Sequence, residues 1–308
     1  MNISDIDIKG FKFSFNLKSK RIIEIEIKDN IINKLSSLFN KFNLTKLEYK
    51  PFTRFTVAKK LDDFSNGKLS LIISKILNHR KNGCIIIKTN FKNININEEF
   101  LTKLSTAISY LIGTPNHDAM TNNYYAKFYI KHKDNSDSYL RKAYNNMDLH
   151  TDGTYVKEKT DWLLMSKIEE KNAKGGETTL LHLDDWEYLK ELSNNPTGRE
   201  NFVWGSPKSK NISYKVEHPI FFDDKNGRSQ ISYIDQFPEP KNMKQGLFLQ
   251  KLSDCLEESQ KKIIINLPPG STVLANNYFW LHGRRPFIKN KNLTRALIRI
   301  RGTFYKKN

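Results

Sequence analysis

Phe11, Phe13, Phe15 and Leu17 alternate with polar residues, and Ile23, Ile25 and Ile27 alternate with glutamates, so the period of two predicts strands over 11–17 and 22–27. Ile31–Phe42 and Lys68–Leu77 instead carry apolar residues at helical spacing. Phe100–Ile112 does the same and stops at the breaker Gly113-Thr114-Pro115. From Tyr124 onward the texture changes to short apolar runs separated by turns. These runs are Tyr125–Ile130, Trp162–Ile168, Thr178–His182, Val216–Phe222, Gln230–Tyr233, Ile263–Leu267, Thr272–Ala275 and Leu293–Phe304. Trp186–Leu192 and Met243–Glu258 read as helical insertions between them. Many short strands after a helical opening predict a mainly β fold with flanking helices, of the α+β class: a β-sandwich or jelly roll packed against N-terminal helices. With no repeat, long linker or clean boundary, a single domain is expected over residues 1–308, helix-rich to about residue 120 and β-rich from about 121.

Two turns stand out among these strands. Gly175-Gly176 separates Trp162–Ile168 from Thr178–His182, and Pro268-Pro269-Gly270 leads into Thr272–Ala275. Glycine supplies positive φ and proline fixes φ near −65°, so both sites are built to reverse the chain.

Composition narrows the setting. No charged n-region followed by an apolar run opens the chain, and no stretch of about 18 apolar residues occurs, since Leu71-Ile72-Ile73 meets Lys75 almost at once. Cys84 and Cys255 are too few for a disulfide framework. A protein outside the membrane, in the reducing cytoplasm, is expected. The net charge of +18 suggests nucleic acid only if the cations cluster. They do not: residues 1–100 hold 19 Lys and Arg against 10 Asp and Glu, half of the excess in a third of the chain, and the lysines arrive singly among Ile and Asn. The charge therefore reads as a solvated surface rather than a nucleic-acid face.

The chemistry concentrates in His150-Thr151-Asp152, answered 130 residues later by Trp280-Leu281-His282-Gly283. In an extended segment residues i and i+2 point the same way, so His150 and Asp152 can reach one ion while Thr151 points away. Two histidines and one carboxylate suit one face of Fe(II), leaving other positions open for reaction. An H-x-D triplet alone is common by chance; His79, His117, His132, His182 and His218 read as surface or satisfied core residues. The second signal is Thr294–Gly302, where Arg295, Leu297, Arg299 and Arg301 share one face of a strand and Ala296, Ile298 and Ile300 the other. Alone this is an ordinary half-buried strand. Beside a metal triad, its planar guanidinium forks suit carboxylate binding.

At these residues the chain resembles the Fe(II)/2-oxoglutarate-dependent dioxygenases, and more narrowly the CsiD-type glutarate 2-hydroxylases. The resemblance runs from about Phe52 to the C-terminus. It rests on the strings Leu104–Gly113, Asn135–Arg141, His150–Thr154, Leu181–Trp186, Tyr233–Phe237 and Phe279–Arg284. It implies a double-stranded β-helix (jelly roll) core with His150, Asp152 and His282 as iron ligands. It further implies Arg295, thirteen residues after His282, and Thr178 as partners of the distal carboxylate of 2-oxoglutarate. Arg299 falls where the substrate's acidic group is gripped, with Arg301 as a helper. The implied activity converts glutarate to L-2-hydroxyglutarate in lysine breakdown, with O2 consumed and succinate and CO2 released, in a cytoplasmic homo-tetramer. The basic, Lys/Asn-rich first 50 residues are not explained by the resemblance.

Other readings predict different features. A same-fold oxygenase for a sulfonate or a longer dicarboxylate keeps His150, Asp152, His282 and Arg295 but uses Arg299 differently. A nucleic-acid or protein hydroxylase requires cations and stacking aromatics at the pocket mouth. A non-catalytic jelly-roll interaction module does not need the ligand set.

Overall fold

The computed structural model describes residues 6–89, 97–133 and 142–306, so the string Asn135–Arg141 lies outside the described residues. The chain opens with β1 (Phe11–Asn16) and β2 (Ser19–Ile27), followed by helices α1 (Asp29–Phe39), α2 (Leu44–Tyr49), α3 (Pro51–Asp63) and α4 (Lys68–Leu77). Then come β3 (Cys84–Thr89), α5 (Glu98–Ile112), β4 (Gly113–Pro115), β5 (Ala126–Lys131), β6 (Met147–His150), β7 (Trp162–Lys171) and β8 (Thr178–His182). Short helices α6 (Leu189–Asn194) and α7 (Pro196–Arg199) lead to β9 (Phe202–Trp204), β10 (Val216–His218), β11 (Phe221–Asp223), β12 (Ser229–Ile231) and β13 (Pro238–Glu239). The last elements are α8 (Met243–Glu258), β14 (Ile263–Ile265), β15 (Thr272–Asn276), β16 (Trp280–Arg284) and β17 (Thr294–Phe304).

Two sheets organise the molecule. The larger runs β1-β2-β3-β15-β7-β17-β4, with β5 also paired to β17, and the smaller runs β14-β8-β16-β6. The pairing is antiparallel throughout both except between β2 and β3. The mixed architecture with predominant sheet agrees with the class read from the sequence. The helix-rich first part is not separate from the β part, however, because β1, β2 and β3 extend the same sheet that holds β7 and β17.

The two faces of the large sheet have different neighbours, and the sequence encodes both. Ile23, Ile25, Ile85, Ile87, Leu164, Leu274, Ile298 and Ile300 join a core built with α1, α3, α4 and α5. Their strand neighbours Ile22, Cys84, Ile86, Val273 and Ala275 join Leu180, Leu181, Trp280 and Leu281 of the small sheet. A strand buried on both faces loses its alternation, which is why Cys84–Thr89 gives no period-two signal.

Local differences from the sequence pattern have identifiable causes. Helix α3 lacks an apolar stripe because Arg54 occupies a core position: its Nε donates to the Leu47 carbonyl at 2.6 Å, its Nη1 to the Tyr110 hydroxyl at 3.0 Å, and its guanidinium lies 3.7 Å from the Tyr124 ring centre. The run Val216–Phe222 is split into β10 and β11 around Pro219, which cannot donate to a ladder. Helix α5 starts two residues before Phe100, where Asn97 accepts from the Phe100 N–H and Glu98 and Glu99 occupy the first turn.

Strand β17 is the junction of the two layers, and its helix-facing side is a stability determinant. Ile298→Ala is expected to cost about 2–5 kcal/mol in urea denaturation, whereas Leu71→Ala, at a side chain 71% exposed, should stay within about 0.5 kcal/mol. A loss below about 1 kcal/mol at Ile298 would mean that this face is not core.

Candidate metal centre and carboxylate pocket

The centre is assembled by strand register. In the small sheet β16 lies between β8 and β6, and His282 pairs directly with His150, their ring centres 4.2 Å apart. Asp152 follows the end of β6, and one donor atom from each of His150, Asp152 and His282 falls within 4.8 Å of the others, with all three side chains buried. Thr151 points the other way, as the extended backbone requires. Its N–H donates to the Tyr233 carbonyl at 2.8 Å and its Oγ1 accepts from the Tyr233 N–H at 2.9 Å.

Asn277, which sequence spacing did not single out, fixes the carboxylate's backbone. Its Oδ1 accepts from the Asp152 N–H, and its Nδ2 donates to the carbonyls of Asp152 and Thr160, each at 2.9 Å. Gly153 then turns the chain with φ +80°, and a Cβ there would stand 2.1 Å from Thr160 Oγ1. The turn is closed to any other residue by both sterics and φ.

The donor set suits a divalent ion. His150 Nδ1 faces the Asp148 carbonyl at 2.8 Å; a carbonyl only accepts, so Nδ1 is the donor and Nε2 is the ring nitrogen left for a metal. Burial, reinforced by His150, pushes His282 down to about 3 against the opposing pull of Asp152, so it is a neutral imidazole at neutral pH. Burial would raise the Asp152 carboxyl, but the Arg299 guanidinium, helped by Arg301, holds it well below the usual carboxylate range. Two imidazoles and one carboxylate match the 2-His-1-carboxylate set.

A cavity between the two sheets opens from this centre. His150, Asp152, His282 and Arg299 line it with Phe128, Ile130, Met147, Met165, Leu297 and Lys210. Arg299 is held on both sides: Nη2 donates to Asp118 Oδ2 at 2.6 Å, and Nη1 lies 3.4 Å and 3.5 Å from the Asp152 oxygens. Burial opposes the charge on Arg299, but Asp152 and Asp118 more than offset it. Asp118, too, carried no recognisable spacing in the sequence.

The other sequence-predicted residues do not line this cavity. Arg295, 4% exposed, donates from Nη1 to the Gly176 carbonyl at 2.7 Å, which carries its guanidinium to the turn that precedes Thr178 in β8. Both turn glycines have positive φ, and a Cβ on Gly176 would be 2.0 Å from the Phe287 ring that backs Arg295. Among the described residues Arg295 Nε has no hydrogen-bond partner, the Glu170 carboxylate staying 3.7 Å away, and burial pushes the guanidinium down to about 10. Thr178 is buried beside it in the small sheet, where it pairs with Arg284 and Ile265. Arg301 is also buried, 5.7 Å from the Tyr155 ring centre, with Nε and Nη1 lacking partners among the described residues. Buried guanidinium nitrogens without acceptors are uncommon and costly.

Comparison with known proteins agrees with this geometry. Curated proteins named glutarate 2-hydroxylase are similar along nearly the whole chain: the one from Salmonella paratyphi B is 42% identical over 295 residues, covering 96% of this chain and 91% of that protein. The one from Klebsiella pneumoniae is 44% identical over 296 residues with the same coverage. Among solved structures, the non-heme iron oxygenase OrfP, in complex with iron, succinate and (3S)-hydroxy-L-Arg, superposes with a TM-score of 0.68 at 13% identity, covering 91% of this chain and 93% of its own. An asparagine oxygenase in complex with Fe(II), 3-hydroxyasparagine and succinate gives a TM-score of 0.70 at 10% identity with the same coverage. Those two likenesses speak to the fold. The CsiD family model matches residues 11–304, and with relatives above 40% identity across the same span the chain belongs to the CsiD family.

Proposed function

We propose that this protein is an Fe(II)- and 2-oxoglutarate-dependent dioxygenase that hydroxylates glutarate at C2 to L-2-hydroxyglutarate. The observation that carries the reading is the cross-strand pair His150 and His282 with Asp152 within 4.8 Å, facing the arginine-bearing side of β17. The glutarate 2-hydroxylase name of relatives at 42% and 44% identity supplies the substrate. The two facing sheets, antiparallel where they flank the centre, support reading the core as a double-stranded β-helix, and the sheet shared by β1–β3 with β17 supports one domain over residues 1–308.

His150, Asp152 and His282 would hold the iron. The unpartnered Nε of Arg295, next to the Thr178 end of β8, suits the distal carboxylate of 2-oxoglutarate. Arg299, against both Asp152 and the cavity, suits the substrate carboxylate beside C2, and Arg301 assists through its field on Asp118 and Asp152. Held by these residues, iron would supply the redox chemistry by which O2 oxidatively decarboxylates 2-oxoglutarate to succinate and CO2, one oxygen atom going to succinate and the other to the substrate. The protein groups bind and orient rather than exchange protons. Charge-assisted bonds from fixed guanidinium forks decide which carbon faces the metal, and only the keto acid can chelate it, so two five-carbon diacids are told apart by placement. The apolar walls Phe128, Ile130, Met165 and Leu297 keep water from the reacting carbon.

The finer setting is also part of the proposal. Free, buried Cys84 and Cys255 suit the cytoplasm, and among the described residues no helix is long and apolar enough to cross a membrane. Exposed Phe52, Phe55, Leu71 and Tyr305 on the helical side offer apolar surface for a homo-tetramer. A role in lysine breakdown rests on the family resemblance.

Anaerobic loading with Fe(II) and 2-oxoglutarate, followed by O2 with glutarate, should yield succinate and 2-hydroxyglutarate in matched amounts. Succinate without the hydroxy acid would reject glutarate as substrate. Arg295→Ala is expected to raise the KM for 2-oxoglutarate about tenfold or more, since a charge-assisted bond is lost. Arg299→Ala should uncouple the reaction, with succinate in excess over hydroxylated product; unchanged coupling would remove Arg299 from the substrate site.

A further inference from the structure

Arg299 stands between two buried carboxylates at unequal distances. Its Nη2 donates to Asp118 Oδ2 at 2.6 Å, whereas Nη1 stays 3.4 Å and 3.5 Å from the two oxygens of Asp152. A charge-assisted bond from a guanidinium closes to about 2.7–2.9 Å, and an arginine facing both oxygens of one carboxylate favours the bidentate fork. The contact with Asp152 is therefore held open, although both groups are buried and of opposite charge.

Asp118 is built to hold it open. It is 5% exposed, and both of its oxygens are engaged: Oδ1 accepts from the Met120 N–H at 3.2 Å and Oδ2 from Arg299. Its backbone is pinned in a turn, with the Asp118 N–H donating to the Asn123 carbonyl at 2.7 Å and the Thr121 N–H to the Asp118 carbonyl at 3.2 Å. The Asn116 N–H donates to the Arg301 carbonyl at 2.8 Å, fastening the same loop to β17 two residues beyond Arg299. A second turn, over residues 207–211, braces the loop through Asn211 Nδ2, which donates to the Ala119 carbonyl at 3.2 Å. Burial would raise the Asp118 carboxyl, but Arg299, then Arg301 and Lys210, keep it below the usual carboxylate range, so it carries its charge.

We infer that Asp118 is a positioning residue for the metal centre: by anchoring Arg299 it keeps the guanidinium from closing a fork on Asp152, and so leaves that carboxylate to the metal. The inference rests on the metal-centre reading above and deepens it. A guanidinium and a metal ion compete for the same two carboxylate oxygens. A buried cation that loses its partner takes the nearest other anion, and for Arg299 without Asp118 that anion is Asp152. The tight bond to a rigid loop thus decides the occupancy of a metal ligand that Asp118 does not itself touch.

The test is binding of Mn(II), a redox-stable stand-in for Fe(II), read from the electron paramagnetic resonance of the free ion without 2-oxoglutarate or substrate. Asp118→Asn keeps an acceptor for the Met120 N–H and should weaken Mn(II) binding about tenfold or more, the effect of losing a group that sets a ligand's availability. In an Arg299→Met background the same substitution should shift the affinity by less than about threefold, because the competitor is gone. A smaller loss than tenfold with Arg299 present would overturn the inference. So would a loss beyond about threefold without it, which would mark a plain field effect of the missing anion. Arg299→Met alone should bind Mn(II) at least as tightly as wild type, and this arm decides if the Asp118→Asn protein does not fold; weaker binding there would overturn the inference. His282→Ala separates the two claims. If wild type takes up no Mn(II), or His282→Ala takes it up as tightly, the metal centre fails and the role of Asp118 with it. If His282→Ala loses binding while Asp118→Asn does not, only the role of Asp118 fails.

Discussion

The pairing of β16 between β6 and β8 is the constraint on which the site depends. One register puts His282 opposite His150; a shift by a single residue would turn every side chain of β16 to the other face, sending Leu281 to the metal position and His282 into the core. That register is secured from both sides. Leu281 and Trp280 are fully buried against the neighbouring elements, and Thr151 is hydrogen-bonded to Tyr233 behind the metal face. Asn277 then links the chain entering β16 to the backbone of Asp152, so the third donor is positioned by the same strand connection that delivers the second histidine.

Strand β17 performs the complementary task. Its isoleucines anchor the large sheet to the helices while its arginines face the small sheet, so the layer that stabilises the fold and the layer that binds anions share one backbone. Buried arginines destabilise unless they are paired, and the chain resolves this unevenly. Arg299 has two carboxylates. Arg295 and Arg301, like the Nε of Arg299, retain nitrogens without acceptors among the described residues. Where the proposed cosubstrate and substrate carry their carboxylates, binding those anions would supply acceptors to these nitrogens.

Much of this was legible in the sequence because the relevant periods are short. The i, i+2 relation of His150 and Asp152, the alternation of arginines in β17, and the turn at Gly175-Gly176 survive into the structure unchanged. Helix α4 spans the predicted Lys68–Leu77, and α8 the predicted Met243–Glu258. What pattern could not reveal were contacts made by isolated residues across long separations. Asp118 meets Arg299, Asn277 clamps Asp152, and Lys210 enters the cavity from a turn, and none of these belongs to a periodic element near its partner. Strand β3 and helix α3 were hidden for opposite reasons, the first by burial on both faces and the second by an arginine in a core position.

The most direct test of this account is a crystal structure of the protein loaded anaerobically with Fe(II) and 2-oxoglutarate, with the iron located by anomalous scattering. The account predicts one iron held by His150 Nε2, the Asp152 carboxylate and His282, with the far carboxylate of 2-oxoglutarate on Arg295. Iron bound elsewhere, or bound without His282, would contradict it.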